Sequence, residues 1–157
     1  MSYYDSIADG YDNLHKEEQL KKLDIIRVNL PIEKGDALLD VGCGTGFSHD
    51  VLECNWTGLD PSKKLLDKAK GRVVLGKAEA MPFPDKSFDV VISVTAIHNF
   101  EDVEKGLREM KRVGDKRFAF GVLKKSDKFA SIKKLIEEMF DIKKTIEEEK
   151  DLIFFVY

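Results

Sequence analysis

The chain is poor in the residue types that announce chemistry on their own. It has two cysteines, four prolines, one tryptophan and three histidines in 157 residues. Cys43 and Cys54 have no metal-like spacing with one another or with His15, His49 and His98, so no zinc or iron–sulfur site is expected. A disulfide is not expected in a reducing compartment; Cys43 reads as a small filler and Cys54 as a buried thiol. No run approaches the eighteen or so apolar residues that cross a bilayer. Met1-Ser2-Tyr3-Tyr4-Asp5 lacks the order of a signal peptide, which makes the expected location cytoplasmic. Neither sign of charge dominates: 26 Lys and Arg against 29 Asp and Glu give a net charge of −3. The two signs are interspersed, so no basic face for unaided nucleic-acid binding is expected. Internal repeats, low-complexity stretches and interdomain linkers are also missing, which leaves a single domain with room for a core.

What is present centres on Leu38-Leu39-Asp40-Val41-Gly42-Cys43-Gly44-Thr45-Gly46. An apolar strand of the kind buried in a parallel sheet runs into three alternating glycines. Glycines let the backbone turn tightly and approach a ligand closely. Such a turn at the carboxyl end of a strand is where open α/β sheets bind nucleotides. The spacing excludes two common variants. A dinucleotide fingerprint needs a third glycine where Phe47 stands, and no Gly-Lys-Ser/Thr follows for a Walker loop. The last element of interest in this half is Asp60, eighteen positions after Gly42, at the end of the strand Asn55–Asp60. There a short carboxylate can accept both hydroxyls of a ribose. Asp60-Pro61-Ser62 equally fits a helix start capped by Ser62, running through Leu65, Leu66 and Ala69.

Elsewhere the pattern alternates helices and strands. Tyr3–Asp12 reads as a loop or short helix. Leu20, Leu23, Ile26 and Leu30 recur at helical spacing up to Pro31, and Phe47–Leu52 forms a short helix. Strands are expected at 72–76, 88–93 and 118–123, with helices marked by Val103, Leu107 and Met110 and by Ile132, Leu135, Ile136 and Met139. Phe140–Ile146 and Leu152–Tyr157 flank an acidic turn and should pair as a hairpin.

Asp40 ahead of G-x-G-x-G resembles motif I of the class I S-adenosylmethionine (SAM) methyltransferases. Tyr3–Asp12 is similar to that family's "Y-D-x-x-A-x-x-Y-D" segment. Gly76–Val91 resembles its "G-D-A-x-x-L-P-F-x-D-x-S-F-D-x-V" pattern, and Ser93–Phe100 its "S-x-x-A-L-H-H-F", with Asn99 in place of the second histidine. The resemblance covers the whole chain. It implies a Rossmann-like doubly wound α/β sheet, mostly parallel with an antiparallel C-terminal strand, as one domain over 1–157: an N-terminal cap or helix at 1–34 and a sheet core at 35–157. It implies SAM as cofactor and S-adenosylhomocysteine as product. Asp40, Gly42, Gly44 and Gly46 would shape the methionine end, Asp60 and Pro61 the ribose side, and Ala78, Glu79, Ala80 and Met81 the adenine side. Ser93 and Val94 would line the end of the fourth strand, and Tyr11 would cover the cofactor or else staple the N-terminus to the sheet. Met81 and Phe83 also fit a plain core role. His98 is the candidate catalytic residue, as a base or an orienting group, with a hydrogen-bonded structural histidine as the alternative.

The acceptor is poorly written in the sequence, because methyl transfer chiefly needs donor and acceptor held at near-attack distance. No Asn/Asp-Pro-Pro-Tyr/Phe follows the fourth strand and no Pro-Cys supplies a thiol, which argues against adenine or amide N-methylation and cytosine C5 chemistry by those arrangements. The motifs favour a small-molecule acceptor. The short connections instead favour a protein or RNA acceptor, with selectivity supplied by the acceptor's own surface or by a small activating partner protein; a homodimer is the other assembly considered. A SAM-binding module without catalysis is the remaining alternative, and no membrane association is expected.

Overall fold

The computed structural model describes the backbone of residues 3–157 and side chains from residue 15 onward. A seven-stranded sheet forms its middle layer. In chain order the strands are β1 (Ala37–Val41), β2 (Asn55–Asp60), β3 (Arg72–Leu75), β4 (Phe88–Val94), β5 (Gly114–Leu123), β6 (Lys144–Glu147) and β7 (Asp151–Val156). Their spatial order is β3-β2-β1-β4-β5-β7-β6. β3 to β5 pair in parallel, and β7 runs antiparallel to both of its neighbours. The sheet is therefore doubly wound, with the order reversing between β1 and β4. That reversal opens a crevice at the carboxyl ends of the strands.

Both faces of the sheet are covered. Successive strand residues point to opposite sides, so Leu38, Trp56, Val90, Ile92 and Phe155 pack with Leu23, Ile26 and Leu30 of α1 (Tyr3–Asn29). Leu39, Val41, Val91, Phe118 and Phe120 face the other way, onto α4 (Val103–Val113) and α5 (Phe129–Met139). Two short helices, α2 (Phe47–Val51) and α3 (Lys63–Leu66), follow β1 and β2. Among the described residues no helix is long and apolar enough to cross a membrane.

Among the boundaries that differ from the sequence reading, three stand out. The first helix starts at Tyr3 rather than near Lys16, continuous through the polar and aromatic stretch that shows no period. The Ser62 cap is present, its Oγ accepting from Leu65 N at 3.3 Å, but α3 ends at Leu66 instead of reaching Ala69. The chain then leaves through Gly71 in a left-handed conformation. β5 begins at Gly114, four residues before its apolar run, because Gly114 pairs with Phe88 across a register shift in β4.

A bidentate ion pair ties the α1–β1 connection to β5. Arg117 donates from two nitrogens to the two carboxylate oxygens of Asp36 at 2.6 and 2.8 Å, and also to the Pro31 carbonyl. The Arg117 hydrogen bonds hold the Asp36 carboxyl below the usual carboxylate range, against the opposing effect of burial. Stability from a depressed carboxyl is present above its unfolded pKa of about 4 and lost as pH falls through the lower folded value. Arg117→Met should therefore cost about 1–3 kcal/mol at pH 7, with the gap from the parent chain closing in acid. Denaturant unfolding at pH 7 and pH 3 checks this; a gap independent of pH would mean that packing, not charge, holds the connection.

Candidate functional site

The turn after β1 is built by three glycines in left-handed backbone conformations, with φ of 77, 56 and 79° at Gly42, Gly44 and Gly46. L side chains rarely adopt these angles. Gly42 is constrained twice, since a Cβ there would lie 2.6 Å from the Ala96 Cβ at the end of β4. The Gly42 amide donates to the Leu59 carbonyl at 2.7 Å and the Gly44 amide to Asp60 Oδ2 at 2.9 Å. The other Asp60 oxygen accepts from Ser62 N at 2.8 Å. One buried carboxylate thus couples the turn after β1 to the start of α3.

Beside this turn opens a cleft of about 280 Å³. Gly42, Asp60, Pro61, Ala78, Glu79 and Val94, all expected to contact a cofactor, lie in its walls. Acids in the walls include Asp60 at the end of β2, and Glu79, whose Oε2 accepts from Asp102 N at 3.0 Å. Leu59, Leu65 and Phe100 supply apolar surface.

Other expected residues lie elsewhere. Asp40 borders a neighbouring small crevice with Gln19 and Leu23 of α1, and this crevice shares Gly42 and Val94 with the cleft. Asp40 Oδ2 accepts from Ser48 Oγ at 2.5 Å, and Ser48 Oγ accepts in turn from Trp56 Nε1 at 2.7 Å. Gly44 and Gly46 shape the turn without facing the cleft. Ser93 is fully buried, donates its hydroxyl to the Val41 carbonyl at 2.8 Å and does not line the cleft; as Val94's neighbour on one strand it points to the opposite side. Met81 packs into the core on the α4–α5 side with Phe83, and Ala80 is exposed outside the cleft. The Tyr11 side chain lies outside the described residues. Cys43 is a buried filler against Gly58, where a Cβ would meet its Sγ at 2.5 Å. Cys54 is only half-buried, with its thiol pushed up to about 11 by burial and then by the Asp36 charge.

His98 sits in a single 3₁₀ turn, Ile97–Asn99, just past β4. His98 does not line the cleft, whose wall its neighbours Asn99 and Phe100 help to form. Its Nδ1 is buried and, among the described residues, has no hydrogen-bond partner. Burial holds its pKa below the usual histidine value; the Asp151 charge opposes this, while Lys128 and Lys22 reinforce it.

Sequence reasoning missed Thr95, Asn99 and Glu101 in the cleft wall, and Lys22 and Asp151 behind it. Lys22 did carry a signal: it precedes the core residue Ile26 by four positions, on the apolar face of its helix. Asp151 carried a weaker one, as an acid opening the apolar run of β7.

A methyltransferase-domain family model matches residues 39–117, from β1 into β5. The chain belongs to the class I SAM-dependent methyltransferase family. The family's cofactor is SAM, and the residues present fit it: a glycine turn where a Cβ at Gly42 would clash, and a partly apolar cleft with acids in its wall. An uncharacterised protein of Methanocaldococcus jannaschii is 35% identical over 158 residues, covering 96% of this chain and 62% of the relative. The 27-O-demethylrifamycin SV methyltransferase of Amycolatopsis mediterranei is 33% identical over 144 residues, covering 70% of this chain and 52% of the enzyme. The chain thus spans about half to three fifths of the length of these curated relatives. A Haloferax volcanii methyltransferase, solved in complex with the Trm112 methyltransferase activator, has the same fold: TM-score 0.85 over 99% of this chain and 97% of that one, at 17% identity.

Burial pushes the Asp40 carboxyl up to about 7, against the Ser48 hydrogen bond and with the Asp60 charge adding to it. Because this folded pKa lies above the unfolded value of about 4, ionising Asp40 weakens the fold as pH rises from about 4 to about 7. Asp40→Asn should raise the melting temperature at pH 8 by a few degrees and change it little at pH 4.5, read by thermal unfolding at both. A difference of equal size at the two pH values would contradict a buried, protonatable Asp40.

Proposed function

We propose that this chain transfers a methyl group from SAM to a small-molecule acceptor. The observation that carries the reading is the coupling of the left-handed glycine turn to Asp60 beside a cleft with a second acid, Glu79, in its wall. Asp60 would hold the ribose, its short buried carboxylate standing at the end of β2 in the cleft wall. Glu79 and Ala78 would face the adenine. Asp40 beside Gly42 would face the cationic methionine end, where a positive charge offsets the cost of ionising a buried acid. Bound SAM supplies a methyl group already activated by its sulfonium sulfur. The protein's own part is to orient the two reactants and to accept a proton, for which His98 is the candidate.

A small acceptor is supported by the similarity to an enzyme named for a rifamycin substrate. α1 also supplies Gln19 and Leu23 beside the methionine end, which narrows access there. A second reading, a macromolecular acceptor served by a small activating protein, draws on the fold shared with the Haloferax volcanii protein solved with Trm112.

Two measurements test the proposal. Asp60→Ala should weaken SAM binding by about 1–3 kcal/mol through loss of charge-assisted hydrogen bonds; unchanged affinity would remove Asp60 from the cofactor site. Methyl-labelled SAM incubated with the protein and fractionated cell extract should place label in the low-molecular-weight fraction. Label in protein or RNA would favour the second reading, and none in any fraction a binding module without catalysis.

A further inference from the structure

At the opposite end of the sheet from the cofactor cleft, the amino ends of β1 to β4 surround a second hollow of about 520 Å³. It exists because one crossover lacks a helix. The connections from β1 to β2, β2 to β3 and β4 to β5 each carry one, whereas residues 76–87, between β3 and β4, form none. A crossover helix covers the sheet face that it spans. Here a loop takes its place, and the starts of β2 and β3 are left open beside Phe83 and Phe88. The hollow and the cleft share no lining residue.

Strand alternation decides which side chains face the hollow. Leu59 of β2 and Val74 of β3 pack with Phe83 and Phe88 on the α4–α5 side of the sheet. Thr57 and Arg72, each two residues earlier, share that face and stand opposite one another in the β2–β3 register. The Thr57 side chain is 4% exposed, and among the described residues its hydroxyl has no hydrogen-bond partner. A polar group set so deeply is costly unless something bonds to it. Arg27, Arg108, Arg112 and Arg117 are all ion-paired. The guanidinium of Arg72, exposed at the rim, has no partner among the described residues.

The rest of the lining fixes the charge and shape of an occupant. None of the described lining residues is acidic, in contrast to the cleft with Asp60, Glu79 and Glu101. Burial, and then the Asp36 charge, push the Cys54 thiol in the wall up to about 11, so it adds no negative charge at neutral pH. Phe83 and Phe88 meet edge to face with centroids 5.0 Å apart and supply apolar surface. The volume falls in the range of small-molecule sites, about 300–1,000 Å³, and leaves room beside Arg72 for more than a lone ion.

We propose that this hollow is a second ligand site, for a small organic anion with an aromatic body. Its carboxylate or phosphate group takes hydrogen bonds from the Arg72 guanidinium and the Thr57 hydroxyl, and its ring lies against Phe83 and Phe88. Charge-assisted bonds to the planar guanidinium supply most of the selectivity. The site is independent of SAM, because it and the cleft open at opposite ends of the strands.

The test is calorimetric titration of the full chain with phenyl phosphate and benzoate, with inorganic phosphate and benzyl alcohol as controls. At least one aromatic anion should bind, and which one does tells phosphate from carboxylate. Each control should bind about tenfold more weakly. Benzyl alcohol or inorganic phosphate binding as well as the aromatic anions would overturn the proposal, as would no binding of either anion. Arg72→Met should weaken binding about tenfold, Arg72→Lys less, and Thr57→Val about threefold. Unchanged affinity in Arg72→Met or Thr57→Val would overturn it, with thermal unfolding confirming that each variant folds. Cys54 reports the location without any variant, since the other cysteine, Cys43, is buried. The bound anion should slow alkylation of Cys54 by iodoacetamide, and SAM should not. Alkylation that the anion leaves unchanged, or that SAM slows equally, would place the anion elsewhere and overturn the proposal.

Discussion

The Asp60 carboxylate is the constraint on which the cleft depends. One oxygen accepts from the glycine turn after β1 and the other from the residue that caps α3, so two strand ends are registered by a single buried side chain. The turn tolerates few other residues, because its three glycines are left-handed and a Cβ at Gly42 would clash with the Ala96 methyl. The geometry of the cofactor end is therefore written in backbone and set before any ligand arrives. Preorganisation of this kind lowers the entropy lost on binding.

The two ends of the site differ in electrostatic character. Around the glycine turn lie Asp40 and Asp60, both buried, and burial with mutual repulsion leaves Asp40 near the point of titration. At the end of β4 the charges instead balance, with Lys22 against Asp151 and Thr95 bridging them. That polarity runs along the carboxyl edge of the sheet, from β2 through β1 to β4.

Most of the fold could be read from local pattern. Nearly continuous apolar runs marked β1, β4 and β5 as buried on both faces, and the hairpin of β6 and β7 followed from two terminal segments about an acidic turn. The start of α1 could not be read, because its first turns carry no apolar period to distinguish helix from loop. Within the site, Gly42, Asp60, Pro61, Ala78, Glu79 and Val94 meet in one cleft, since each sits at a strand end where topology alone sets position. Ser93 and Met81 show the limit of carrying over whole motifs: Ser93 points to the opposite side of β4 from Val94, and Met81 is drawn into the core beside Phe83. The Lys22–Thr95–Asp151 cluster escaped because its contacts span 73 and 129 residues, and no local signal encodes which distant partner a buried charge will find.

Calorimetric titration of the purified chain with SAM, S-adenosylhomocysteine and NAD tests the central claim most directly. The account predicts micromolar binding of both adenosyl ligands and none of NAD, because the turn lacks the third glycine of a dinucleotide site. Binding of NAD, or silence from all three, would contradict it.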